Sequence, residues 1–333
     1  MIAVLKPDTT EEQKQHLVAW LKDQNVEVHE SQGKEYTVLG LVGNTSSIDV
    51  ELLESLSIVD SVKIVSDPFK KSNRKFHPDN SVIRVGDVSI GNGECVLIAG
   101  PGPVESREQI LEIAESVRAA GASILKGDAV RRLSSPYDQT APNADYLSLL
   151  VEAKKETGMP VMSEITGLEQ LDRFEEIDLI QIATRSMQNY ELLRELGRMN
   201  KPVVLKRGLS NRLKELLVSA EYIMAGGNEN VILCERGIRS FETYTRNTLD
   251  LSAVPMLHEL SHLPVLVDPG RAAGAASLVD PLAKAAAACG ADGLIIDVHP
   301  DPLNALYDGA RSLTPEQFAK TAESIRKIRE VLV

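Results

Sequence analysis

Eight short apolar runs follow one another from residue 95 onward: CVLIAG at 95, SILKGDA at 123, PVMSEI at 160, LIQIAT at 179, PVVLKRG at 202, VILCERG at 231, PVLVDPG at 264 and GLIIDVHP at 293. Near-continuous apolar runs mark strands buried on both faces, as in parallel sheets, and a helical segment follows each of them. Eight such units in about 240 residues predict a closed (β/α)8 barrel over an open sheet. The last helix spans roughly residues 315–332. With 43% hydrophobic but only 4% aromatic residues, the core has to be aliphatic, as in a barrel filled with Val, Ile, Leu and Ala.

Seven of the eight runs end in charged or reactive groups. These are Lys126 and Asp128, Glu164, Arg185, Lys206 and Arg207, Glu235 and Arg236, Asp268 and Arg271, and Asp297 and His299. In a parallel barrel the carboxyl ends of the strands converge on one face, where sites are built. A single charged strand end is ordinarily a solvated loop, whereas seven together predict an anion-binding pocket. Arg185, Lys206 and Arg236 come from neighbouring strands. Three cations about one point suit a phosphate or carboxylate, with guanidinium forks giving two-pronged contacts. The plainer alternative is a structural ion-pair ring with Glu164 and Glu235, and the two readings are compatible if the acids orient the cations.

Residues 1–67 read as strand, helix, strand, strand, helix, strand, the ferredoxin-like order. Asp8 or Thr9 is the expected cap of the first helix, which runs through Asn25. Residues 68–80, PFKKSNRKFHPDN, are polar and basic and are expected as a linker, so that the barrel domain covers 81–333. Val82 to Glu94 reads as a hairpin around Val85, Gly86 and Asp87. The net charge of −12 argues against a nucleic-acid or anionic-membrane partner. Cys95, Cys234 and Cys289 lack metal-type spacing and are expected as packed core residues. No run of 18 apolar residues and no leader pattern is present, so a cytoplasmic location is expected. Gly100 and Gly102 lack the remaining spacing of a dinucleotide fingerprint.

Longer motifs narrow the reading. They are IAGPGPVES at 98–106, SSPY at 134–137, QIATRSMQN at 181–189, KPVVLKRG at 201–208, ILCERGIRSFETYTRNTLDLSAVP at 232–255, SHLPVLVDP at 261–269 and DVHPDP at 297–302. On these the chain resembles the type Iβ 3-deoxy-7-phosphoheptulonate (DAHP) synthases and, at the level of the barrel, the related octulosonate 8-phosphate synthases. Enzymes of this kind join phosphoenolpyruvate to erythrose 4-phosphate, with a divalent metal polarising the aldehyde or positioning water.

The resemblance implies that Arg185, Lys206 and Arg236, with Glu164 and Ser134, bind substrate. Lys126, Arg131, Arg271, Asp297 and His299 form the implied catalytic set. Lys126 stands where an arginine ordinarily holds the enolpyruvate carboxylate. The family's metal-binding cysteine, histidine and glutamate align with Gly102, Arg271 and Asp297, and only Asp308 keeps its ligand type. Leu133 stands at the arginine that grips the erythrose 4-phosphate phosphate.

These replacements predict a transferase that forms a C–C bond on a phosphoenolpyruvate-like partner and accepts an aldehyde other than erythrose 4-phosphate. It would need no cofactor, or at most a divalent ion held weakly by Asp297 and Asp308, with Arg271 as electrostatic stand-in. The alternatives are an ordinary DAHP synthase of the shikimate pathway and an inert ligand-sensing relative. A homo-oligomer and an aromatic amino-acid effector at the front domain are also implied by the resemblance.

Overall fold

The computed structural model describes residues 1–33, 36–43, 45, 48–63, 67–129 and 145–332. The chain divides into two compact units, one of Met1–Asn80 with Glu259–His262, the other of Ser81–His258 with Leu263–Val333.

In the first unit the strands are β1 (Ile2–Leu5), β2 (Glu27–Gln32), β3 (Thr37–Val42) and β4 (Val59–Lys63), and the helices are α1 (Glu11–Asp23) and α2 (Val50–Ser55). The sheet order is β2-β3-β1-β4, with β1 antiparallel to both neighbours, a ferredoxin-like arrangement. Thr10, one residue beyond the expected cap, starts α1 through a capping box. Its hydroxyl accepts from the Gln13 amide at 3.3 Å, and the Gln13 side chain accepts from the Thr10 amide at 3.0 Å. Alternation along the strands gives the sheet two apolar faces. Ala3, Leu5, Leu39 and Leu41 pack with Leu17, Leu21 and Leu53 of the helices, and Ile2, Val4 and Val38 face the other way.

That second face is covered by Phe76, from the stretch whose composition reads as a linker. Phe69 is buried as well. Gly40 makes room for the ring, because a Cβ there would lie 2.3 Å from Phe76 Cδ1. Residues 68–80 therefore belong to the interior of the first unit as much as to a connection.

The second unit opens with a hairpin, β5 (Ile83–Val85) and β6 (Val88–Ile90). Eight parallel strands then close into a barrel: β7 (Val96–Gly100), β8 (Ile124–Lys126), β9 (Val161–Ile165), β10 (Leu179–Ile182), β11 (Val203–Lys206), β12 (Val231–Glu235), β13 (Val265–Val267) and β14 (Gly293–Asp297), with β14 paired to β7. The helices of this unit are α3 (Arg107–Ala119), α4 (Tyr146–Thr157), α5 (Tyr190–Arg198), α6 (Leu213–Ala225), α7 (Ala253–Leu260, its last two residues grouped with the first unit), α8 (Pro269–Ala273), α9 (Ala276–Ala288) and α10 (Pro315–Leu332). Among the described residues no helix is long and apolar enough to cross a membrane.

Ile83, Val85 and Ile90 of the hairpin share one core cluster with Ile98, Ile124, Met162, Leu179, Val204, Ile232, Leu266 and Ile295 of the barrel. The hairpin thus plugs the amino-terminal end. Side chains alternate along a strand, so the next inward position lies two residues further on. One rung above Ile124, Met162, Leu179, Val204, Leu266 and Ile295 therefore stand Lys126, Glu164, Gln181, Lys206, Asp268 and Asp297. The apolar layer supports the polar one.

On β7 the same rung holds Gly100, which pairs with Asp297. A Cβ there would lie 2.0 Å from the Lys126 carbonyl oxygen, so the close approach of β7 to β8 requires glycine. Gly100→Ala is expected to cost about 1–3 kcal/mol by overpacking, measured by urea unfolding; a variant as stable as its parent would mean that these strands do not approach so closely.

Candidate active site

At the carboxyl end of the barrel lies a cavity of about 480 Å³. Among the described residues its walls carry six cationic side chains, Arg185, Lys206, Arg236, Arg239, Arg246 and Arg271, against the single carboxylate of Glu164. Arg185 sits on a 3-10 turn (Thr184–Ser186) after β10, Lys206 ends β11, Arg236 directly follows β12, and Arg271 lies on α8. Arg239 and Arg246 come from the loop after β12. That loop is folded back on itself by the paired amides and carbonyls of Ile238 and Thr248, at 2.8 and 2.9 Å. Gly237 starts this fold at φ +91°, where a Cβ would meet Ala272 at 2.9 Å.

The cations differ in how far their charge is already answered. Lys206 donates to Asp268 Oδ2 at 2.6 Å. Asp268 also caps α8, accepting from the Arg271 amide at 2.9 Å. Burial would raise the Asp268 pKa, but chiefly Lys206 holds it below the usual carboxylate range. Arg236 has only a weak bond from Nη2 to the Arg271 carbonyl at 3.3 Å, and its Nε is buried with no partner among the described residues. Burial pulls the Arg236 pKa down, and Arg271 adds to that. A buried cation short of acceptors is a place where an anion is stabilised.

Beside the cavity floor is a second charged group. Lys126, 1% exposed, donates to the Pro101 carbonyl at 2.8 Å and to Asp297 Oδ1 at 2.6 Å, with Asp128 Oδ2 at 3.5 Å. Arg311, equally buried, donates from Nε to Asp297 Oδ2 at 2.7 Å and from Nη1 to Asp308. Arg271 Nη2 lies 3.7 Å from Asp308 and 3.9 Å from Asp128. Burial works against charge here, yet Lys126, Arg311 and Arg271 together hold the Asp297 pKa well below the ordinary range. Burial likewise opposes the charge on Arg271, and Asp297, Asp308, Glu164 and Asp268 outweigh it.

The four positions that the resemblance assigns to a metal do converge. A Cβ at Gly102 would lie 3.4 Å from Asp308 Oδ2, and Arg311 ties Asp308 to Asp297. Their chemistry does not fit a divalent ion. Glycine offers no side-chain donor, a guanidinium has no lone pair to give, and both Asp297 oxygens are occupied by cations. Among the described residues no group of three or more His, Cys, Asp or Glu side chains is placed to hold a metal.

Of the residues expected from sequence, Arg185, Lys206, Arg236, Glu164 and Arg271 therefore share one cavity. Glu164 is fixed by its own amide on Asp128 Oδ1 at 2.9 Å and by Gln181 Nε2 at 3.1 Å. Lys126 and Asp297 do not line that cavity, because each satisfies the other below it. His299 is buried outside the cavity lining. Its Nδ1 accepts from the Asp301 amide at 3.0 Å, which places the proton of the neutral ring on Nε2, 3.6 Å from Glu105.

Glu235 answers Arg207 at 2.9 Å and does not join an acid ring around the cations. Arg131 and Ser134, with Leu133, lie outside the described residues. Cys234 is packed in the core, where burial pushes its thiol pKa far up. Cys95 is half-buried, and Cys289, expected in the core, is exposed because it caps the end of α9. Arg239, Arg246 and Arg311 were not predicted, since none stands at a strand end.

Asp297→Asn should leave two buried cations facing a neutral amide, a loss of about 3–5 kcal/mol for a broken buried pair, read by chemical unfolding. The pH dependence has a definite sign. A carboxylate with a depressed folded pKa stabilises fully above its unfolded value of about 4 and loses that contribution as pH falls below it. The parent should therefore lose stability more steeply than the variant between about pH 4 and pH 2. Parallel acid profiles would contradict the charged pairing.

Comparisons with known proteins bear on the family of the chain. The DAHP synthetase I family matches residues 68–332, and the DAHP synthase ferredoxin-like domain matches residues 1–67. The chain is similar to phospho-2-dehydro-3-deoxyheptonate aldolase of Thermotoga maritima, with 45% identity over 333 residues, covering 100% of this chain and 98% of that one. A crystal structure of the Thermotoga enzyme superposes with a TM-score of 0.78, covering 99% of this chain and 97% of that chain. A more distant relative is 2-dehydro-3-deoxyphosphooctonate aldolase of Syntrophotalea carbinolica, 30% identical over 270 residues, covering 75% of this chain and 96% of that one. On matches that span both units, the chain belongs to the DAHP synthetase I family and carries that family's ferredoxin-like domain in front of its barrel.

Proposed function

We propose that the protein is a DAHP synthase that joins phosphoenolpyruvate to erythrose 4-phosphate and releases inorganic phosphate. The observation that carries this reading is the cavity in which Arg185, Lys206, Arg236 and Arg271 meet, with one carboxylate among its described lining residues. The 45% identity to the Thermotoga heptonate aldolase over the whole chain supports the ordinary acceptor. The expectation of a different acceptor rests on Leu133, outside the described residues, and gains nothing from that similarity.

In this reading Arg185, Lys206 and Arg236 hold the enolpyruvate phosphate, and Glu164, fixed by Gln181, lines the same cavity. The π pair of the enol forms the new bond from C3 to the aldehyde carbon, and the aldehyde oxygen takes a proton. Water adds at C2, the bond from C2 to the phosphate oxygen breaks, and phosphate departs. Fixed cations in a partly closed cavity stabilise the charge on the departing phosphate and on the aldehyde oxygen more in the transition state than before it.

Titration calorimetry with phosphoenolpyruvate should show binding that Arg236→Ala weakens by about 10- to 100-fold, the effect of losing a hydrogen bond to a charged group. Phosphate release should require both phosphoenolpyruvate and erythrose 4-phosphate. Binding without phosphate release for any aldehyde would overturn the enzyme reading in favour of a ligand sensor.

A further inference from the structure

We infer that the chain supplies its own cation in place of a divalent metal. Lys126, Arg271 and Arg311 close an ion network with Asp128, Asp297 and Asp308, and the Arg271 guanidinium presents its own positive charge to the cavity. The catalytic part of this inference rests on the function proposed above; the metal-exclusion part does not.

Three observations carry it. The first is charge. The network holds three cations and three carboxylates, four of them buried and Arg271 and Asp308 partly exposed, so it is balanced as it stands. A dication entering it would add two unanswered positive charges where water screens little. Such an ion would have to displace Arg311, whose side chain is 2% exposed and bonds Asp297 and Asp308 together. Arg311 Nη2, buried and without a partner among the described residues, offers one more donor to an oxygen and repels a metal.

The second observation is position. Arg271 is pinned through its backbone. Its amide bonds Asp268 Oδ1, and its carbonyl accepts from Arg236 Nη2 at 3.3 Å and Asn247 Nδ2 at 3.2 Å. The short helix that carries it stops at Gly274, at φ +75°. These bonds fix the point on the backbone from which the Arg271 side chain projects.

The third is spare capacity. Among the described residues Arg271 makes only the two long ion pairs to Asp128 and Asp308, and its side chain is 25% exposed on the cavity wall. Its fork therefore still has donors for a substrate oxygen. Arg311 is the positioning residue of the set. It occupies Asp297 and Asp308, which leaves Arg271 free to face the cavity.

Metal binding and turnover test this separately. Titrating the full chain with manganese(II) chloride should give no binding heat, and excess EDTA should neither lower the melting temperature nor slow phosphate release. Binding of manganese by the parent, or loss of phosphate release in EDTA, would overturn the inference. In the reverse direction, Gly102→Cys with Arg271→His rebuilds two donors beside Asp308. Adding Arg311→Gln to that pair should free Asp297 and tighten manganese binding by about tenfold or more, as changes in supporting contacts do at metal sites. Failure of the triple variant to bind manganese, with its circular dichroism unchanged, would show that these positions do not share one site.

Arg271→Lys keeps the charge and loses the fork. It should bind phosphoenolpyruvate with little change while kcat falls, whereas weaker binding with kcat unchanged would assign Arg271 to binding alone. If no aldehyde supports phosphate release, the proposed function fails and the manganese titrations still decide metal exclusion.

Discussion

Asp297 ends the last barrel strand with one carboxylate oxygen on Lys126 at 2.6 Å and the other on Arg311 at 2.7 Å. Each of these groups alone would be costly to bury, and together they satisfy one another. Much of the local architecture follows from that clamp. It fixes the carboxyl ends of β14 and β8, which Gly100 of β7 allows to approach closely. It also fixes the segment carrying Asp308 and Arg311, and through Asp308 it limits where the Arg271 guanidinium can lie.

The site therefore has two layers with different tasks. Below, Lys126 and Arg311 are matched to Asp297 and Asp308 in short ion pairs. Above, Arg185, Arg236, Arg239, Arg246 and Arg271 line a cavity to which, among the described residues, Glu164 adds the one carboxylate. The boundary between layers is drawn by which cation already has a short bond to an acid. Lys206, bonded to Asp268 yet reaching the cavity, belongs to both. Such an arrangement concentrates positive potential at the carboxyl end of the barrel, although Lys206 and Arg271 share part of their charge with Asp268, Asp128 and Asp308.

The barrel was legible because its strands obey a simple rule. Apolar positions recur every second residue, and a polar group stands one rung beyond, as in Val204 then Lys206, or Ile295 then Asp297. Lys206 and Glu164 stand on that rung, while Arg185 and Arg236 were found as charges just past the end of an apolar run. Arg311 was not, because it follows the barrel strands on a 3-10 turn and reaches back by tertiary packing. Arg239 and Arg246 depend on a loop folded through Ile238 and Thr248, a pairing that no local periodicity announces. The stretch 68–80 misled by composition. Its charges are what the sequence displays, while Phe69 and Phe76 are what the fold uses. Lys126 illustrates a different limit: its place at a strand end was read correctly, but whether an ammonium faces ligand or neighbour depends on Asp297, far away in sequence.

The most direct test is anomalous diffraction from crystals of this chain grown with phosphoenolpyruvate and manganese(II). The expected map shows the enolpyruvate phosphate among Arg185, Lys206 and Arg236, the Arg271 guanidinium beside Asp308, and no anomalous peak between Asp297 and Asp308. A manganese ion bound by those two carboxylates, with Arg271 and Arg311 turned away, would contradict it.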